Sequence, residues 1–218
     1  MHGQDEKPTW WIFANGEIPS LERLQDLIRP GDRLLAADGG VHHLLRLGRL
    51  PERVIGDLDS LLPGEAEDLE RKGVALERYP VDKDDTDLEL TLNYAIHAGG
   101  KVIRIAGALG GRLDQTLGNL FLLLSPALAG LDVRLEDGSE QVSLVRERAE
   151  IHGRPGDTVS LLPLNQPAAG VATRGLKYPL YGETLYPDRT RGISNVLVDP
   201  PAEVRLTDGI LVCILKRG

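Results

Sequence analysis

Residues 33–60 read RLLAADGGVHHLLRLGRLPERVIGDLDS, and their punctuation decides the fold class. Arg33–Ala37 is a short apolar run of strand length that ends on Asp38-Gly39-Gly40. Val41–Leu47 follows as a short helix closed by Gly48, and Arg53–Ile55 is a second strand ending on Gly56-Asp57-Leu58-Asp59-Ser60. Strand, helix and strand in succession mean a right-handed crossover and parallel pairing. The alternation extends upstream, with a strand over Trp10–Ala14 and a helix over Leu21–Ile28, capped by Ser20 and stopped by Pro30-Gly31. Downstream it continues with a helix over Gly64–Lys72 and a strand over Ala75–Tyr79. A Thr86-x-x-Glu89 capping box opens a helix to about Ala98. Strand Lys101–Ala106, helix Asp114–Leu124 and strand Val133–Glu136 complete the series. Residues 1–137 are thus expected to form an α/β domain, a mostly parallel sheet with flanking helices.

After Asp137-Gly138 the helical period stops, and residues 138–218 read as a small all-β sandwich. Its predicted strands are Gln141–Val145, Glu150–His152, Thr158–Leu162, Val171–Arg174 and Asn195–Val198. Glu203–Thr207 and Ile210–Leu215 flank Asp208-Gly209, the pattern of a two-residue type I′ hairpin.

Composition narrows the function classes. The 218 residues carry 33 acidic and 25 basic side chains, a net charge of −8, with no basic run, so nucleic acid is not an expected partner. No apolar stretch reaches the ~20 residues of a membrane span, because Asn119, Ser125 and Pro126 interrupt the best one. The single Cys213 fits a reducing compartment, and the N-terminal residues have no apolar run of a secretory signal, so a cytoplasmic location is expected.

Ligands of parallel sheets bind beyond the carboxyl ends of the strands. The loops expected there are Asn15-Gly16, Asp38-Gly39-Gly40, Gly56–Ser60, Asp82–Asp87 and Gly107–Gln115, all polar and rich in Asp or Gly. If their stretch is extended, Asp57 and Asp59 leave one face together. Two such carboxylates either repel or share a cation, and all-oxygen ligation favours Mg²⁺; alternatively they are solvated turn residues. Gly110-Gly111-Arg112, between a strand and a helix, can cradle phosphate or form a plain tight turn. It matches neither the Walker A nor the G-x-G-x-x-G pattern. Lys83 lies among Asp82, Asp84, Asp85 and Asp87, aimed at a phosphate or simply their counter-ion, and Asp84 or Thr86 caps the following helix. The five histidines show no metal spacing, His42-His43 are expected on a helix surface, and Cys213 and Trp10-Trp11 are expected in the core. No G-x-S-x-G elbow is present.

Taken in order, these loops resemble the thiamine pyrophosphokinase (thiamine diphosphokinase) family. The segments that carry the resemblance are Asn15-Gly16, Ala37–Gly40, Gly56–Ser60, Lys83–Asp87 and Gly110–Asp114, then Gly175-Leu176-Lys177-Tyr178-Pro179-Leu180 and Gly192-Ile193-Ser194-Asn195. The resemblance implies an α/β domain followed by a β-sandwich, in a homodimer. ATP would lie on the α/β domain, and thiamine in a cleft completed by the partner's β-domain. It implies Asp57, Asp59 and Asp87 around Mg²⁺ with Asp38 close by. It puts Lys83, Arg112, Asn15, Gly39, Gly40, Gly110, Gly111 and Gln115 with the nucleotide, and Ser194 and Asn195 with thiamine. Asp87 or Asp114 would orient the thiamine hydroxyl or accept its proton. Three departures stand out: Gln115 where many bacterial members have His, Val196 where Glu is frequent, and a β-domain whose large aromatics are Tyr178, Tyr181 and Tyr186, with no Trp. An Mg²⁺-dependent phosphohydrolase is the alternative enzyme for the same acidic edge, and a non-catalytic binding module the bland one.

Overall fold

The computed structural model describes residues 7–218; the reading of the first six residues as no secretory signal lies outside them. The chain divides into two compact units, Met1–Gly138 and Ser139–Gly218.

The first unit alternates strands and helices: β1 (Thr9–Phe13), α1 (Leu21–Gln25), β2 (Arg33–Ala37), α2 (Val41–Arg46), β3 (Arg53–Gly56), α3 (Glu65–Arg71), β4 (Ala75–Arg78), α4 (Asp87–His97), β5 (Val102–Ala106), α5 (Leu113–Leu122) and β6 (Asp132–Glu136). Its strands run in the order β6-β5-β1-β2-β3-β4, and every pair is parallel. Four consecutive buried residues in both β1 and β2 replace the alternation of a half-exposed strand, because elements cover both faces of the sheet. Phe13, Leu24, Leu35, Leu44, Ile55 and Leu92 are among the large side chains this unit buries fully. The Thr86 hydroxyl caps α4 by accepting the Glu89 N–H at 3.2 Å, and Leu88, Thr91, Leu92 and Ala95 form the buried stripe of that helix. α1 is shorter than its apolar pattern suggests: after Gln25 the chain turns, and Ile28 reaches the core from outside the helix.

The second unit comprises β7 (Glu140–Val145), β8 (Arg148–Ile151), β9 (Thr158–Pro163), β10 (Ala168–Arg174), β11 (Tyr181–Leu185), β12 (Asn195–Val196), β13 (Ala202–Arg205) and β14 (Leu211–Lys216). Two antiparallel sets, β12-β9-β14-β7 and β11-β10-β13-β8, contribute Val159, Leu161 and Leu211 from one side and Val171, Leu185 and Val204 from the other to a single core. That is a β-sandwich, and the alternation of buried and half-buried residues in β9 shows its one-sided burial.

One expectation is corrected here. Asp208-Gly209 is not a hairpin turn: β13 pairs with β10 and β8, whereas β14 pairs with β7 and β9. The turn carries the chain from one sheet to the other and is held by the start of β10, with Thr207 N–H donating to Ala169 O at 2.9 Å and Ala169 N–H to Asp208 O at 3.0 Å. Both flanking runs are apolar because each faces the same core from its own sheet. β11, absent from the strands read from the sequence, is an edge strand whose YGETL sequence buries only Leu185 and gives no alternation to read.

Candidate active site

Three turns at the carboxyl ends of β2, β3 and β4 bring the acidic residues together. Asp38 begins a tight turn over Asp38–Gly40 with φ +44, and the residue is only 7% exposed. The turn crosses β1 so closely that a Cβ on Gly40 would collide with the Phe13 carbonyl. Ser60 Oγ donates to Asp38 Oδ2, while Asp38 Oδ1 is buried without a hydrogen-bond partner among the described residues.

The stretch after β3 is not extended. Leu58 takes φ +63 and the Asp59 N–H donates to Asp57 Oδ1 at 3.1 Å, closing a turn. A left-handed leucine costs roughly 1–3 kcal/mol; its burial beside Phe13, Val41 and Leu44 offsets that. Asp57 and Asp59 thus share a side through a turn and not through the strand pleat. Ligand atoms of Asp38, Asp57 and Asp59 all lie within 4.8 Å of one another. The Asp57 charge foremost, then burial and Asp38, hold the Asp59 carboxyl above the usual carboxylate range. Three convergent carboxylates, one with a buried oxygen lacking any donor, fit a hard divalent cation with oxygen ligands.

Asp87 is placed differently from the other acids. Lys83 Nζ lies 2.9 Å from Asp87 Oδ1 and 3.8 Å from Asp57 Oδ2, and donates to Pro80 O at 3.1 Å. The Asp87 contact is an ion pair without aligned hydrogen-bond angles, and Asp87 Oδ1 is buried with no other partner among the described residues. Asp87 first, against a smaller cost of burial, holds the Lys83 ammonium above its usual range. Lys83 is therefore no counter-ion to Asp82, Asp84 and Asp85, which are exposed. A Cβ on Gly56 would lie 3.0 Å from both Asp38 Cβ and Asp87 Cγ, so this glycine keeps the two acids close.

The Gly107–Gly111 loop closes against Asn15-Gly16. Gly16 N–H donates to Gly107 O at 3.0 Å, and a Cβ on Gly110 would meet Glu17 O at 2.6 Å. Arg112 precedes α5 as its exposed N-cap residue and forks onto Asp114, Nε to Oδ1 at 3.1 Å and Nη2 to Oδ2 at 2.6 Å. That fork raises Arg112 and holds the Asp114 carboxyl below the usual range, helped by the Gln115 N–H on Oδ1 at 3.0 Å.

A cleft of about 610 Å³ opens between these loops, lined by Asn15, Gly16, Asp38, Asp87, Asp114 and Gln115 among the expected residues. Lys83, Asp57, Asp59, Gly39, Gly40, Gly110, Gly111 and Arg112 do not line it. Leu88, Glu89, Gly118, Asn119 and Leu122 also line it and were not expected. The helical period could have found three of them, since Gly118, Asn119 and Leu122 share a face with Gln115.

Ser194 and Asn195 belong to the second unit. Ser194 has φ +57, and its N–H is held by Ser160 Oγ at 3.1 Å. Asn195 is 6% exposed; its Oδ1 accepts from Tyr178 N at 3.0 Å and Val196 N at 2.9 Å, and its Nδ2 donates to Tyr178 O at 2.7 Å. These bonds shape the segment that presents Tyr178, whose ring is exposed. His42 and His43 are half-buried and engaged, contrary to the surface expectation: His42 with Glu65 and His43 with the Gly16 carbonyl. Trp10, Trp11 and Cys213 are buried in the cores.

An acidic cleft at the carboxyl edge of a parallel sheet, followed in the chain by a β-sandwich, defines a two-unit α/β-plus-β protein whose ligand site lies where such sheets bind small molecules. A family model described as the catalytic domain of thiamin pyrophosphokinase matches residues 24–135, and one described as its vitamin B1 binding domain matches residues 144–211. The thiamine pyrophosphokinase of Bacillus subtilis is 30% identical over 190 residues, covering 83% of this chain and 85% of its own. A crystal structure of thiamine pyrophosphokinase from the same organism superposes with a TM-score of 0.85 at 27% identity, covering 96% of this chain and 99% of that one. One from Geobacillus thermodenitrificans gives 0.82 at 26% identity, covering 96% and 98%. The chain belongs to the thiamin pyrophosphokinase family. No helix among the described residues is long and apolar enough to cross a membrane.

Proposed function

We propose that this chain moves a diphosphate from ATP to the hydroxyethyl oxygen of thiamine, giving thiamine diphosphate and AMP. Family membership supports the reaction, and the convergence of Asp38, Asp57 and Asp59 beside the cleft is the observation that carries it on the structural side. Those three carboxylates would hold Mg²⁺, with Asp87 nearby. Bound there, the ion neutralises negative charge on phosphate oxygens. Lys83 adds a fixed positive charge at the same corner, and Arg112 supplies a second one once the phosphate competes with Asp114 for its fork. The glycines at 39, 40, 110 and 111 let the backbone turn tightly around the nucleotide site, with Asn15 and Gln115 on its wall. Phosphoryl-type transfers depend more on positioning and charge than on a strong base.

The two candidate acids for the thiamine hydroxyl, Asp87 and Asp114, both line the cleft, and each is paired with a basic side chain, Lys83 and Arg112 respectively. Ser194 and the Tyr178 segment shaped by Asn195 serve the thiamine side. The working form is a cytoplasmic homodimer with the site shared between chains. Exposed Leu113, Leu117 and Phe121, one stripe of α5, support a partner surface. A phosphohydrolase would consume ATP without thiamine, and membership of this family weighs against it.

The test incubates the protein with ATP, Mg²⁺ and thiamine and separates the products by chromatography. Thiamine diphosphate and AMP in equal amounts are expected; ATP loss indifferent to thiamine would overturn the reading. Light scattering at assay concentration reads the dimer, and a monomeric active species would contradict it.

A further inference from the structure

His43 lies on α2, which continues directly from the Asp38-Gly39-Gly40 turn, and its Nε2 is 2.9 Å from the Gly16 carbonyl oxygen. A carbonyl only accepts, so Nε2 carries the proton and Nδ1 is left buried without a hydrogen-bond partner among the described residues. An apolar side chain would fill this place without an orphaned nitrogen, so the imidazole is retained at a cost. What it gains is the Gly16 carbonyl. Gly16 lines the cleft beside Asn15, and its N–H is already bound to Gly107 O on the opposite side. The Asn15 side chain in turn lies against Gly39, where a Cβ would fall 2.7 Å from its amide atoms. The Asn15-Gly16 segment is therefore pinned by the loop after β5 on one side and by His43 on the other. Burial lowers the basicity of the imidazole, which keeps it neutral and donating from Nε2.

We propose that His43 is a positioning residue for the nucleotide: through the Gly16 carbonyl it locks Asn15-Gly16 in the binding conformation and sets affinity for ATP, not the rate of transfer. The inference rests on reading the cleft as the nucleotide site.

The experiment compares wild type with His43→Leu, His43→Asn and His43→Gln. A glutamine amide reaches the place of Nε2, while leucine cannot donate and asparagine is too short. The readouts are KM for ATP, KM for thiamine, kcat, and the calorimetric Kd of a non-hydrolysable ATP analogue with Mg²⁺. Losing one such bond is expected to raise KM for ATP and the analogue Kd about threefold to tenfold in H43L and H43N. KM for thiamine and kcat stay within about twofold, and H43Q stays near wild type on every readout. Should H43L not fold, H43N carries the comparison. Unchanged ATP affinity in the loss variants, or H43Q as impaired as they are, overturns the inference. Wild type that binds the analogue but forms no AMP would indict the reaction alone, leaving His43 to be decided by Kd. Wild type that binds no analogue would overturn both.

Discussion

Lys83 Nζ lies 2.9 Å from Asp87 Oδ1 and 3.8 Å from Asp57 Oδ2, so one ammonium joins the start of α4 to the turn after β3. Replacing it by methionine removes a fixed charge from this acidic corner and leaves two carboxylates, Asp57 and Asp87, without their shared ammonium. Lys83→Met is expected to reduce turnover by about a hundredfold or more, by analogy with loss of one preorganised donor. Circular dichroism should remain that of the wild type. Turnover within a fewfold of wild type would remove Lys83 from the machinery.

Asp59 is held above the usual carboxylate range chiefly by Asp57. A raised carboxylate opposes folding once ionised, so Asp59→Asn at pH 7 without divalent ions should melt at or slightly above wild type. The same change should cut turnover by about a hundredfold to a thousandfold. Addition of millimolar Mg²⁺ should raise the melting temperature of wild type but not of this variant, since a ligand stabilises only the state that binds it. Equal Mg²⁺ shifts in both proteins would take Asp59 out of the cation site.

Much of this was legible before any coordinates. The apolar runs bounded by Gly, Pro and Asp placed the strands of the first unit to within a residue or two, because parallel strands buried on both faces leave little ambiguity. Thr86 and Glu89 announced the start of α4. What stayed hidden depended on tertiary choices. The left-handed Leu58 turn cannot be read from Gly-Asp-Leu-Asp-Ser, yet it is this turn that swings Asp57 and Asp59 toward Asp38. Asp208-Gly209 carries the local signal of a hairpin and serves a crossover, because strand partners are settled by core packing. Asn195 is spent on backbone bonds that no motif reveals, whereas Gly118, Asn119 and Leu122 were within reach of the helical period, sharing the Gln115 face of α5.

Asp132 gives a stability test away from the site. Burial pushes its carboxyl up, but hydrogen bonds from Arg134 and Arg104 outweigh burial and hold it below the usual range. A depressed carboxylate stabilises above its unfolded pKa of about 3.9 and loses that contribution as pH falls through the folded value. Asp132→Asn should therefore cost about 1 kcal/mol at pH 7, a figure already reduced for solvent screening. The gap from wild type should narrow as pH falls below the unfolded value and close once the folded carboxyl is protonated, read by urea titrations at successive pH values. A constant gap across this range would show that the loss is not electrostatic.

Gly40 tests the tight turn behind Asp38. A Cβ there collides with the Phe13 carbonyl, which is backbone and cannot swing aside. Gly40→Ala should cost about 1–3 kcal/mol or more, read by chemical denaturation. Gly48→Ala probes a different site, where nothing lies within 4 Å and only φ +66 opposes a side chain, so it should cost less. Equal losses would mean that the approach to β1 is looser than described.

The central claim is that the diphosphate moves as a unit into thiamine. The most direct measurement follows ATP labelled at the γ-phosphorus, incubated with this protein, Mg²⁺ and thiamine. Attack of the hydroxyethyl oxygen on the β-phosphorus breaks its bond to the α-phosphate bridge, so the label should appear in thiamine diphosphate while unlabelled AMP forms in equal amount. Label in thiamine monophosphate with ADP, or in inorganic phosphate at a rate indifferent to thiamine, would contradict it.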